Sequence, residues 1–163
     1  RNLNELGKNF NLSITLEATH HGPISKKPVF FIEIGSNEEQ WENVLAGKII
    51  ANTIMKTISN LSNNNNHNNN YKTAIAFGGS HYCSGFNKIE LLYDVAISHV
   101  CPKYIVDNIN SSMVTQMIDK TSEKVDFALL DWKGLNSIER LRIIEILKQL
   151  EIPCKKTKEI KSV

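Results

Sequence analysis

Apolar and polar residues alternate over positions 11–18, with Leu12, Ile14 and Leu16 on one side and Ser13, Thr15 and Glu17 on the other. That period of two predicts a half-buried strand, and Gly22-Pro23 ends it in a turn. Residues 1–11 before it are polar and read as loop. Residues 28–34 (PVFFIEI) form a β-rich apolar run, as in a strand buried on both faces. From Ser36 the period changes. Ser36 and Glu39 have the spacing of a capping box, and Trp41, Val44, Leu45, Ile49, Ala51, Ile54, Met55 and Ile58 recur at helical intervals. One helix ending near Leu61 is predicted.

Seven asparagines broken by His67 fill positions 63–70, so residues 62–71 read as a flexible Asn-rich surface insert. Residues 72–77 (KTAIAF) predict a third strand that runs into Gly78-Gly79-Ser80-His81-Tyr82. Residues 89–101 fit helix or strand, 110–120 a helix, and 125–130 a fourth strand. Asn136 with Glu139 at N3 caps a further helix, expected to turn Ile138, Leu141, Ile144, Leu147 and Leu150 inward. Pro153 stops it, and 152–157 can add an edge strand. Strands alternating with amphipathic helices predict an α/β fold, a single-domain mixed sheet with helices on both faces, over 1–163.

The length of 163 residues suits one domain. With 41% apolar and 22% charged residues the chain is neither disordered nor fibrous, and its longest apolar runs fall far short of the ~18 residues of a membrane span. No membrane partner is expected. A net charge of +2 gives no long-range pull on nucleic acid. Lys155, Lys156, Lys158 and Lys161 read as a solvated terminus. Cys83, Cys101 and Cys154 are an odd set without CxxC, which fits free thiols in a reducing, cytoplasmic setting. The chain starts at Arg1, as expected of a fragment or processed product.

Four of the five histidines, His20, His21, His81 and His99, fall where a strand is expected to end. Ligands of open α/β sheets collect beyond the carboxyl ends of strands. Residues 17–23 join a carboxylate, Glu17, to two imidazoles and a turn, which suits either metal binding or acid–base chemistry. Neighbouring side chains on extended backbone point opposite ways, so only one of His20 and His21 is expected to face a given site. Gly78 and Gly79 permit positive φ and close approach of backbone to a ligand, without matching a dinucleotide or phosphate-loop motif. Ser80 and Cys83 are candidate nucleophiles outside any GxSxG elbow. Glu33, inside an apolar run, either faces a site or basic partner or sits at an exposed edge. Trp41 and Trp132 are expected to be packing residues.

Three segments taken together resemble the archaeal and plant type of D-aminoacyl-tRNA deacylase: LEATHHGP at 16–23, FIEIGS at 31–36 with Glu39 and Trp41, and GGSHY at 78–82. VAISHVCPKY at 95–104 is similar to a fourth family segment, and the resemblance runs over roughly 12–150. It implies hydrolysis of the ester between a D-amino acid and the terminal ribose of tRNA, a chirality-proofreading reaction with D-aminoacyl-tRNA as substrate. It also implies a phosphorylase/peptidyl-tRNA hydrolase-like sandwich and a Zn2+ cofactor. Two departures stand out: Ser80 replaces a third loop glycine, and the chain is expected to lack the family's N-terminal segment.

On that resemblance His20 or His21 with His81 are expected as zinc ligands, and Glu17 or Glu33 as ligand or general base. His99 would lie behind the ligands or at a second metal. Amides around Gly78 and Gly79 would hold the oxyanion, and Lys26, Lys27 and Lys103 would meet acceptor-end phosphates. A metal-free version uses His81 as base. Two rivals are a metal-dependent peptidase or amidase on the same fold and a non-catalytic RNA-binding relic. A monomer is expected.

Overall fold

The computed structural model describes residues 1–20, 22, 25–63 and 71–161. His21, and residues 64–70 of the expected insert with His67, lie outside the described residues. The chain divides into two compact units, Arg1–Ile14 with Val29–Asn69, and Thr15–Pro28 with Asn70–Val163.

The first unit holds helices α1 (Asn2–Gly7), α2 (Glu38–Trp41) and α3 (Val44–Asn63). Helix α1 occupies the stretch expected as loop. Tertiary contacts with α3 override its polarity: Asn2 Nδ2 donates to Thr57 Oγ1 at 3.0 Å, and Lys56 Nζ pairs with Glu5 at 2.6 Å. The single helix expected from Ser36 is two. Asn37, rather than Ser36, caps α2 by accepting from the Gln40 amide, and Asn43 Oδ1 accepts from the Ala46 amide to start α3. Asparagine side chains compete with the helix backbone in this way, and each resets the chain. Of the expected apolar stripe only Ile49 is buried. Ala46, Ile49 and Thr53 are buried, whereas Trp41, Val44, Met55 and Ile58 are exposed, so Trp41 is no packing residue.

Residues 28–34 form no strand, and Val29, Phe30 and Phe31 are exposed, Phe30 by 74%. β-propensity reports fit to a pleated surface that a neighbour must supply, and this run belongs to no strand of the sheet formed by the described residues.

The second unit carries β1 (Lys72–Phe77), α4 (Ser84–Leu92), β2 (Val95–Cys101), a 3-10 turn over Lys103–Asn108, α5 (Ser111–Asp119), β3 (Phe127–Leu130), α6 (Ser137–Gln149) and β4 (Cys154–Lys156). These bear out the α/β class. The sheet order is β2-β1-β3-β4, and all three ladders are parallel rather than mixed. Central β1 is buried from Thr73 on, and its side chains alternate. Ile75 and Phe77 pack with Val114 of α5 and Ile143 and Leu147 of α6. Ala74 and Ala76 pack with Phe86 and Ile89 of α4. Helices therefore cover both faces, as expected.

Helix α6 has its expected capping box, with Asn136 Oδ1 and the Glu139 amide 2.9 Å apart and the Glu139 carboxylate accepting from the Asn136 amide. That box turns Glu139 inward and fixes the phase of the helix. Ile143, Ile146 and Leu147 follow it into the core, Ile144 and Leu150 pack at its margin, and Ile138 and Leu141 face solvent, against expectation. Trp132 packs at the margin of the same core under two cations, Arg140 and Lys156. Lys156 thus belongs to β4, not to a solvated tail. No helix among the described residues is long and apolar enough to cross a membrane.

Candidate functional site

The strand order creates one special position. The helix after β1 packs on one face, while those after β2 and β3, its two neighbours, pack on the other. The carboxyl end of β1 is thus a topological switch point, where diverging connections leave a crevice.

The loop leaving β1 is fixed by its glycines. Gly78 has φ +102° and Gly79 φ +77°, and a Cβ on Gly78 would stand 2.9 Å from Asp131 Cβ. Gly78 donates its amide to the Cys101 carbonyl at 2.9 Å, and Lys103 donates to the Gly79 carbonyl at 3.0 Å, so the loop is tied to the exit of β2. Cys83, with φ +44°, closes the loop, its amide and thiol both donating to the Ser80 carbonyl. Among the described residues the amides of Gly79, Ser80 and His81 have no backbone partner. Those, not the amide of Gly78, are available to an oxyanion.

Residues 15–20 run beside this loop. They make no regular strand because a side chain interrupts the ladder. Thr19 donates its amide to the Val100 carbonyl at 3.1 Å, but the Val100 amide donates to Thr19 Oγ1 rather than to a carbonyl. The alternation is nonetheless real, since Leu16 and Ala18 pack into the core under α4. Ala18 donates to the His81 carbonyl at 2.8 Å, and Thr15 Oγ1 to the Tyr82 carbonyl at 2.6 Å.

These ties bring three chemical groups together. Glu17 Oε2 lies 3.9 Å from His20 Nε2 and 3.8 Å from His81 Nε2. The two imidazole rings meet edge to face at 4.6 Å. One donor atom from each of the three residues lies within 4.8 Å of the others. All three side chains are about one-third exposed, which leaves the cluster open to a substrate. His20 Nδ1 is 2.6 Å from the Ala18 carbonyl. A carbonyl only accepts, so Nδ1 carries the proton and Nε2 presents its lone pair to the cluster. His81 Nδ1 is 3.5 Å from the Tyr104 hydroxyl.

The other expected residues fall elsewhere. His99 sits within β2 against the backbone of Lys120, and burial holds its pKa below the ordinary value. Glu33 is exposed on the irregular run 28–34 of the first unit. Cys83 is buried, and burial together with the Glu17 charge pushes its thiol up to about 11, so it is no thiolate nucleophile at neutral pH. Ser80 remains exposed in the loop. Lys103 follows β2 beside the glycine loop, and Lys26 and Lys27 lie further along the segment from His20. Sequence reasoning missed Thr15, Thr19 and Tyr104 as residues that shape this cluster. Tyr104 and Thr19 had a signal, their places in the segments 95–104 and 16–23, whereas Thr15 had none.

A profile of the D-aminoacyl-tRNA deacylase family matches residues 1–155. The D-aminoacyl-tRNA deacylase of Thermococcus kodakarensis is 41% identical over 133 residues, covering 81% of this chain and 45% of that protein. That of Methanosarcina acetivorans is 36% identical over 157 residues, covering 94% of this chain and 48% of its relative. The chain therefore spans about half the length of the curated relatives it matches. A crystal structure of a conserved protein of unknown function superposes with a TM-score of 0.84 at 26% identity, over 98% of this chain and 55% of that one.

Proposed function

Since the chain belongs to the D-aminoacyl-tRNA deacylase family, we propose that it contributes the hydrolytic site for the ester between a D-amino acid and the terminal ribose of tRNA. The observation that carries this reading is the convergence of Glu17, His20 and His81 beside open loop amides at the carboxyl end of β1. In the reaction, water adds to the ester carbonyl and the acyl–oxygen bond breaks. The amino acid leaves as carboxylate and the ribose oxygen takes up a proton.

In the metal-free form of the reaction His81 is the base. With Nδ1–H turned to the Tyr104 hydroxyl, its Nε2 accepts a proton from the attacking water, and Glu17 at 3.8 Å offsets the imidazolium charge. The amides of Gly79, Ser80 and His81 would hold the carbonyl oxygen as it becomes anionic. Lys103 stands at the mouth, and Lys26 and Lys27 further out, for phosphates of the acceptor end. A cytoplasmic location suits such a substrate.

The donor set also fits Zn2+. Two imidazole nitrogens and one carboxylate oxygen form a known catalytic set; two of their separations, 3.8 and 3.9 Å, are slightly longer than the ~3.4 Å edge of a tetrahedron with ~2.1 Å bonds, and the third is within 4.8 Å, so the ligands would have to draw in around an ion. The hydrogen bond from His20 Nδ1 to a carbonyl is the support that orients a metal-ligating histidine. Bound there, the ion would supply Lewis acidity and a water ionising near pH ~7.

The test is release of D- against L-tyrosine from charged tRNA, with chelator and with added zinc. D-selective release, abolished by chelator and restored by zinc, is expected. Release indifferent to chelator would remove the metal from the scheme. Cleavage of amide substrates instead would support a peptidase, and salt-dependent tRNA binding without release would support a binding relic.

A further inference from the structure

A second site lies along the outer edge of β2. Residues 25–28 and 119–122 wall a hollow of about 300 Å³, lined by Lys26, Lys27 and Lys120, with Asp119 as the one carboxylate among the described lining residues. Lys120 Nζ donates to the Ser25 carbonyl at 3.2 Å and so joins the two walls, while the Lys27 amide donates to Ser25 Oγ at 3.0 Å within its own wall. None of the three ammonium groups pairs with a carboxylate among the described residues. Three like charges around one hollow repel one another, and an anion seated between them relieves that repulsion. His99 touches the Lys120 backbone but is held neutral by burial at pH 7, so it adds no charge.

We propose that this hollow binds a phosphate group, with Lys120 as the residue that completes the site begun by Lys26 and Lys27. Among the described residues the lining is polar and cationic apart from Pro28 and offers no aromatic face, so the class of ligand is a phosphate rather than a base or an apolar group. Its position suits a phosphate of a bound nucleic acid. Thr121 Oγ1 meets Ser98 Oγ at 2.8 Å on β2, two residues from Val100, where Thr19 anchors the segment carrying His20. Two residues of strand are ~7 Å. The source of the phosphate rests on the tRNA reading given above.

The test has two arms. Inorganic phosphate titrated into the chain, followed by amide shifts, should saturate at residues 25–27 and 119–122. K120Q should weaken that binding about 10-fold, the loss of one charge-assisted contact. With uncharged tRNA, K120Q should lower the slope of log K against log salt by about 1. Lys26→Gln should act in the same direction, while Lys88→Gln, on exposed α4 surface, should leave both readouts unchanged. Phosphate shifts spread evenly over exposed lysines, or a K120Q slope equal to that of the parent chain, would overturn the proposal. A phosphate site without the tRNA effect would also overturn it, marking a site for free anions only. Because both arms read binding, a failure of the deacylase reading would show separately, as absent ester hydrolysis.

Discussion

The backbone amide of Ala18 donates to the carbonyl of His81 at 2.8 Å. This one bond ties the segment bearing Glu17 and His20 to the loop bearing His81, so two stretches more than sixty residues apart present their side chains to one point. Around it, Thr15 holds the Tyr82 carbonyl and Thr19 exchanges bonds with Val100. The cluster is therefore positioned by backbone and hydroxyl contacts from residues that carry none of the proposed chemistry.

Thr19→Val should show how far the cluster depends on that anchoring. It removes the acceptor of the part-buried Val100 amide, which should cost about 1–3 kcal/mol in urea denaturation. Esterolysis should fall further than stability accounts for, because small displacements of reacting groups are costly. Thr19→Ser keeps the hydroxyl and should recover most of both.

The two loop glycines should not be equivalent. Gly78→Ala combines φ +102° with a Cβ 2.9 Å from Asp131 Cβ and 3.2 Å from Leu135 Cγ, and should destabilise by about 2–4 kcal/mol. Gly79→Ala meets only ordinary contacts, Phe86 at 3.5 Å, and should cost about 1 kcal/mol for its φ of +77°. Chemical denaturation of both variants checks the order, and equal losses would contradict the geometry.

The thiols set the alkaline limit of stability. Burial pushes Cys83 and Cys101 from an ordinary 9.0 up to about 11, the Glu17 charge adding to the shift at Cys83. Between those values the unfolded thiols lose protons that the folded thiols keep, so stability should fall as pH rises from 9 to 11. Cys83→Ala with Cys101→Ala should flatten that fall. Peptide mapping after iodoacetamide at neutral pH should find exposed Cys154 modified and Cys83 and Cys101 spared.

Much of the second unit was legible in the sequence because local and tertiary signals agree there. Residues 72–77 read as a strand and form β1, and Asn136 with Glu139 read as a capping box and form one. The run 28–34 misled because five β-formers among seven residues do not say whether a neighbouring strand exists. The alternation at 11–18 was a true statement about which side chains turn inward, yet Thr19 Oγ1 replaced a carbonyl as acceptor and left no regular ladder. Glu17, His20 and His81 could be picked out as residue types at expected strand ends. The approach of both imidazoles to within 4 Å of Glu17 depends on Thr15, Ala18 and Thr19, whose roles lie in backbone geometry and leave no trace in composition.

The central claim, that Glu17, His20 and His81 act as one hydrolytic cluster, is tested most directly by D-tyrosine release from D-tyrosyl-tRNA by the chain and by His81→Ala and Glu17→Gln, each confirmed folded by circular dichroism. Losses of ~10²–10⁴-fold in kcat/KM are predicted for both variants, the range of a removed acid–base group. Release within twofold of the parent chain in either variant would contradict the account.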